Sequence, residues 1–255
     1  MKNHRQSLSS CAIPTLFSCL LFFVTAEVVA DGAIKPFSAK YRAYYSGVAI
    51  NATRELKKMN GNIMMVDFRA KSFLIDINES ASLLWLVDKP SRLTPLDYQY
   101  RRTGIGKKRH THFQFDWQLE QVVNTREKTH IPIPPNSPVF DKLTYQLQLQ
   151  HDLINGKTEL DYLVVDGQTL KNYRFRIVGE ELLTTELGKL ATIKVERVRD
   201  NDKRTTSIWF AKDWNYLLVQ LEQQEKNGDK YLIQLLNATV DGTSVVDVAA
   251  VELLE

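Results

Sequence analysis

His110 and His112 stand two positions apart, and residues two apart on a strand share a face. Two imidazoles so placed can grip a metal ion at two points, and Asp116, further along the same face, would add a carboxylate oxygen. The pair falls short of the three or four protein ligands that zinc usually takes. His130, at a proline-rich bend, and His151, on a helix, are not brought beside it by any pattern. The first reading is therefore a solvated strand face, and the second a metal-dependent hydrolase. Glu180, Glu181 and Glu186 offer carboxylates for acid–base work, but adjacent strand positions point to opposite faces, so Glu180 and Glu181 do not make a dyad. Neither Gly-x-Ser-x-Gly nor His-Glu-x-x-His occurs. Arg101, Arg102, Lys107, Lys108 and Arg109 crowd a turn at Gly104 and Gly106. Such a cluster either meets anionic headgroups or guards a sheet edge. Its Gly-x-Gly-Lys string has the wrong spacing for a phosphate loop, and a strand follows where that loop needs a helix.

The aromatic and apolar residues are the other chemical signal. Tyr41, Phe68, Trp85, Leu143, Leu147 and Trp209 are the candidates for an apolar ligand cavity, with ordinary core packing as the competing account. No cofactor is expected. With 33 basic and 30 acidic residues among 255, the net charge of +3 is too balanced to imply nucleic-acid binding.

The elements that would position these residues have a period of two. Phe37, Ala39, Tyr41, Ala43 and Tyr45 alternate with polar neighbours, as do Ile50, Ala52 and Leu56, then Val66, Phe68 and Ala70 beyond the turn Asn60-Gly61. Later runs at 107–117, 173–177, 191–195 and 217–221 repeat the pattern, with no strand–helix–strand rhythm. The prolines at 132, 134 and 135 exclude a central strand there. Ser137 reads as a helix cap with Pro138 at the first helical position, opening one amphipathic helix that runs to Asn155-Gly156. About a dozen strands cannot lie in one flat sheet. The expected fold is mainly β: a strongly curved antiparallel sheet or open half-barrel, with one principal helix on its concave face.

The N-terminus reads as a cleavable signal peptide over residues 1–30. Lys2 and Arg5 are its basic start, Leu16 to Val24 its short apolar run, and Val28 and Ala30 the small residues before a cut at Asp31. Cys11 and Cys19 fall inside it, leaving the mature chain without a thiol. The expectation is a periplasmic product with no transmembrane segment, a single β domain over residues 31–240, and a tail over 241–255.

Several spaced motifs now carry a resemblance. They are Phe37-x-Ala39-x-Tyr41, Leu93-x-Pro95-x-x-Tyr98-x-Tyr100, Phe113-x-Phe115-Asp116-Trp117, Asp141-x-Leu143-Thr144, Gly188, Trp209-x-Ala211 and Tyr216-Leu217-Leu218-Val219. In this order they resemble the bacterial family called domain of unknown function 3108, which often has proline where Glu186 or Leu187 and Leu218 stand here. The segment from Trp209 to Leu221 more distantly resembles the lipoprotein-localisation factors LolA and LolB, open half-barrels with helices plugging an apolar cavity. The family's name assigns it no function; the preferred expectation is a non-enzymatic periplasmic binding or accessory protein whose concave face holds an apolar or amphipathic ligand, such as a lipid tail or an acylated segment. The alternatives are a structural partner of another envelope protein and the hydrolase built on His110 and His112.

Overall fold

The structure, a computed structural model, describes residues 32–45, 48–86, 92–201 and 203–248. The expected signal peptide, both cysteines and the turn positions Gly47, Lys89 and Pro90 lie outside the described residues. No described helix is long and apolar enough to cross a membrane.

Alternation sets the strands. In the first half they are β1 (Phe37–Tyr45), β2 (Val48–Lys58), β3 (Ile63–Lys71), β4 (Ile75–Leu86), β5 (Arg92–Gly104), β6 (Arg109–Asp116), β7 (Gln121–Asn124) and β8 (Thr129–Pro132). Then come β9 (Val139–Phe140), helix α1 (Thr144–Ile154), β10 (Leu160–Asp166), β11 (Thr169–Thr185), β12 (Gly188–Val198), β13 (Arg204–Ala211), β14 (Leu217–Glu225), β15 (Lys230–Val240) and β16 (Thr243–Ser244). All sixteen belong to one open, curved sheet, in the order β8-β7-β6-β5-β4-β3-β2-β1-β15-β14-β13-β12-β11-β10-β9, with β16 beside β15. The excess over a dozen comes from the short strands β7, β8, β9 and β16. Gly104 closes the β5–β6 turn at φ +97°, where a side chain would strike the Leu74 carbonyl.

The helix differs from its sequence expectation in three ways. It starts at Thr144, six residues after Pro138. Val139 and Phe140 are instead extended and buried, pairing in parallel with Leu163 and Val164 of β10. The start is fixed by Asp141, whose Oδ1 accepts the N–H groups of Leu143 and Thr144, each at 2.8 Å. Secondly, β9-α1-β10 is a strand–helix–strand unit in an otherwise antiparallel sheet, because parallel neighbours need a crossover. Thirdly, α1 is not simply amphipathic. Leu147, Leu149 and Leu153 are buried, and so are Gln148, Gln150, His151 and Asp152. The sheet curls far enough to enclose both faces of the helix.

The curl also explains where the sheet edges lie. β8 is one edge and β9 the other, and only residues 133–138 separate them in the chain. Such a connector spans at most about 25 Å, so the proline-rich segment straps the two edges towards each other without pairing them. Pro132 is tolerated because β8 is an edge strand.

Part of the expected tail also packs. Asp241 and Gly242 turn at positive φ, Val245 is buried and donates its N–H to the Ala238 carbonyl, and the Asp247 carboxylate accepts the Lys189 N–H at 2.9 Å.

Candidate functional site

The concave face of β1–β5 carries one transverse row. Ala39 lies opposite Arg54, Arg54 opposite Phe68, Phe68 opposite Glu79, and Glu79 opposite Tyr100. Strand alternation makes the same face Ala52, Arg54 and Leu56 on β2, and Ile77, Glu79, Ala81 and Leu83 on β4. Two charged residues thus stand at apolar positions.

Arg54 is 4% exposed, and neither its Nε nor its Nη2 has a hydrogen-bond partner. The guanidinium lies over the Phe37 ring, 5.5 Å from its centroid. Burial lowers its pKa, and the fields of Tyr41, Tyr145 and Glu79 oppose that fall. An arginine keeps its proton under such pressure, so a buried charge remains.

Glu79 is handled differently. Its Oε1 accepts the Tyr98 hydroxyl at 2.5 Å. Burial pushes its carboxyl up to about 7; the Tyr98 hydrogen bond pulls it down and negative Asp141 raises it. Asp141 is itself pushed by burial up to about 6, although it accepts the Thr144 hydroxyl as well as two N–H groups. Burial thus brings the titration of Glu79 from the ordinary carboxylate range to near neutral pH.

The row opens on a cleft of about 110 Å³ between the start of α1 and the sheet. Tyr41, Phe68, Leu143, Leu218, Leu221 and Ile233 form its apolar wall, and Arg54, Glu79 and Gln146 are its polar members. The Tyr41 hydroxyl is spent on the Leu218 carbonyl at 2.9 Å. Glu79 also borders a wider polar groove of about 490 Å³, together with Tyr98, Tyr100, Arg109, His110, Lys142, Asp166 and Lys171. In that groove burial raises Asp166, but hydrogen bonds from Lys142 and Lys171, each at 2.7 Å, outweigh it and bring the carboxyl down to about 2.

Of the six residues expected to line a cavity, Tyr41, Phe68 and Leu143 meet at this cleft. Leu147 is fully buried in the core, and Trp85 packs edge-on against His151 with ring centroids 5.7 Å apart. Trp209 lies on the opposite face of β13 from Ile208: it pairs across to Lys194 and Gln220, gives its indole N–H to Glu181, and has the Lys194 ammonium 4.8 Å from its ring centroid.

The metal candidates separate too. His112 uses Nε2 on Asp97 at 2.6 Å and Nδ1 on Thr125 at 2.8 Å, while His110 is exposed at the groove. Asp116 accepts the N–H groups of Gln118 and Leu119 in a turn. No group of three or more metal-binding side chains occurs among the described residues. Glu180 pairs with Lys212 and Glu186 with Arg42. In the basic hairpin Arg102 braces the turn, donating to the Lys107 and Ile105 carbonyls.

Arg54, Glu79 and Asp141 were not among the expected site residues. For Arg54 and Glu79 the signal lies in the alternation: Ile50-Ala52-Arg54-Leu56 and Ile77-Glu79-Ala81-Leu83 each hold one charge in an apolar series.

The pattern of a family described as Protein of unknown function (DUF3108) matches residues 40–234, more than half of the chain. The chain belongs to that family. No curated protein matches it by sequence. Among solved structures, the DUF3108 chain is similar to the beta-barrel-like protein of domain of unknown function DUF1849 from Brucella abortus. The two are 7% identical with a TM-score of 0.55, and the match covers 81% of this chain and 98% of that one. At that identity the likeness concerns the fold alone. A "putative lipoprotein" from Parabacteroides distasonis is 8% identical with a TM-score of 0.30, covering 83% of this chain and 95% of that one. The DUF3108 chain thus has the expected open half-barrel around one principal helix, mixed in direction only where β9 meets β10.

Proposed function

We propose that this chain is an exported, non-enzymatic binding or accessory protein of the cell envelope, whose concave face takes the apolar part of an amphiphilic ligand. The observation that carries the reading is the cleft beside α1, which Tyr41, Phe68, Leu143, Leu218, Leu221 and Ile233 line with apolar surface. Core residues normally fill such space with each other. A gap between a helix and an apolar sheet face gives an alkyl chain somewhere to go. At about 110 Å³ the cleft is smaller than the few hundred Å³ of a drug-sized pocket. It holds a headgroup and a few carbons, and a longer tail needs the start of α1 to shift.

Export rests on the basic start, apolar run and small residues of positions 1–30. Intact mass of the protein recovered from the periplasm tests it: the expected product starts at Asp31, and one retaining residues 1–30 or a lipid on Cys19 overturns it. For the ligand, the test is titration of the mature protein with N-phenyl-1-naphthylamine, an apolar probe that fluoresces on leaving water. Saturable binding displaced by single-chain amphiphiles is expected. A wild-type protein that neither binds the probe nor co-purifies with any lipid detectable by mass spectrometry ends the reading.

A further inference from the structure

We propose that Arg54 is the anchor for an anionic headgroup, so that the ligand is a single-chain amphiphile with a carboxylate or phosphate head. The inference rests on the binding reading above and specifies its chemistry.

The argument starts from what an unpaired buried charge costs. Taking a guanidinium out of water costs several kcal/mol even after relaxation. The Phe37 ring returns roughly 0.5–2 kcal/mol of that. Nε and Nη2 have no hydrogen-bond partner among the described residues, so these two donors go uncompensated by direct contact. Glu79 is the acid nearest in the row, but Phe68 stands between it and Arg54, two strand spacings or roughly 9–10 Å away, and its carboxyl is bonded to Tyr98. A purely structural arginine would have been supplied with an acceptor.

The identity of the two free atoms points to the class of ligand. Nε–H and Nη2–H lie along one edge of the guanidinium and run parallel. That edge matches the two oxygens of a carboxylate or phosphate. Both atoms are buried, so an anion reaches them only when the start of α1 shifts to uncover that edge; once seated there it would satisfy both donors and neutralise the charge in one step. The apolar wall of the same cleft then faces whatever the head carries. Tyr41 is not a competing donor, because its hydroxyl is already given to Leu218.

The experiment keeps one tail and varies the head. Dodecanoate, dodecyl phosphate, dodecanol and dodecyltrimethylammonium each compete for N-phenyl-1-naphthylamine bound to the mature wild-type protein. One or both anions should displace the probe at a concentration at least roughly tenfold below dodecanol, the ratio that a charge-assisted hydrogen-bonded pair sustains. The cation should displace it least. Whichever anion leads identifies the source, a fatty acid or a phosphate-headed lipid. In Arg54→Met the anion preference should collapse to that of dodecanol, while dodecanol itself competes as in wild type. In Arg54→Lys, which keeps the charge and loses the parallel edge, part of the preference should remain. Equal competition by anions and dodecanol in the wild type overturns the anchor and leaves the binding reading standing. Absence of any probe or amphiphile binding removes both. The head series on the wild type needs no variant to fold, and thermal melts of the two variants show whether their binding data are to be used.

Discussion

Around the C-terminal half of α1, Gln148 accepts the Leu93 N–H at 3.1 Å and donates to Asp152 at 2.9 Å, and Asp152 also accepts from Lys157 at 2.7 Å and from the Tyr162 hydroxyl at 3.0 Å. Burial pushes the Asp152 carboxyl up, but hydrogen bonds from His151, Lys157 and Gln148 outweigh it and hold the group below its ordinary value. Gln150 donates to the Asn215 carbonyl at 2.8 Å and leaves only its neutral Oε1 unmatched. Around the N-terminal end, Arg54 keeps two unmatched donors and a full charge, and Glu79 and Asp141 have raised pKa values. The two regions are at similar depth. The first is a network that fixes the helix within the sheet and leaves over only a neutral acceptor on Gln150; the second leaves charged donors incomplete, beside open volume. Burial of polar groups alone does not distinguish scaffold from site, whereas the completeness of their hydrogen bonding does.

Five measurements test that contrast. Leu147→Ala removes a fully buried side chain between the two regions and should cost about 2–5 kcal/mol in denaturant melts. A much smaller loss would mean that the helix is loosely held and the network decorative. Asp152→Ala strands Tyr162, Gln148 and Lys157 together, and should cost about 3 kcal/mol. A cost under roughly 1 kcal/mol would erase the distinction between the two ends.

The third concerns pH. Glu79 and Asp141 titrate in the folded protein at about 7 and about 6, against ordinary values of 4.5 and 3.8. The folded form therefore holds more protons than the unfolded form across that window. Their contribution is fully present below the ordinary values and is lost as pH rises through 6 and 7. Stability should fall between pH 5 and 7.5 by on the order of 2 kcal/mol, and Glu79→Gln should flatten the curve. A rise over that range would show that the carboxyls are paired more favourably than the row implies.

Fourth, Arg54→Met should leave stability unchanged or raise it by about 1 kcal/mol, since it removes an uncompensated charge. A clear loss would make Arg54 part of the scaffold. The smallest effect belongs to His110→Ala, an exposed change expected within roughly 0.5 kcal/mol and without effect on bound metal.

Much of the sheet was legible because its signals are local. Alternation at Phe37 to Tyr45 and the Asn60-Gly61 turn depend on neighbours in sequence, and the strands formed where those patterns lie. The helix start was misplaced because Ser137-Pro138 is a sound local signal overruled by tertiary pairing: Val139 and Phe140 gain more as a buried strand beside β10. The site was half legible. Tyr41 and Phe68 follow from apolar parity, whereas Trp209, an aromatic like them, shares a face with Lys194 on the other side of the sheet. Arg54 is a single polar exception within an apolar series, and whether its donors have partners is settled only by the three-dimensional surroundings.

Along the main path of the sheet, every neighbouring pair except one joins strands that are consecutive in the sequence; the exception is β1 against β15, where Phe37 meets Val240, about 200 positions later. Two meanders can therefore assemble from local contacts, one on each side of this seam, and the seam closes last. The entropic cost of so long a loop grows only slowly with its length, so the delay shows in rate more than in final stability. During synthesis, β1 presents an unpaired edge until the ribosome has released residue 240. Until then, that edge can pair with a strand from another chain.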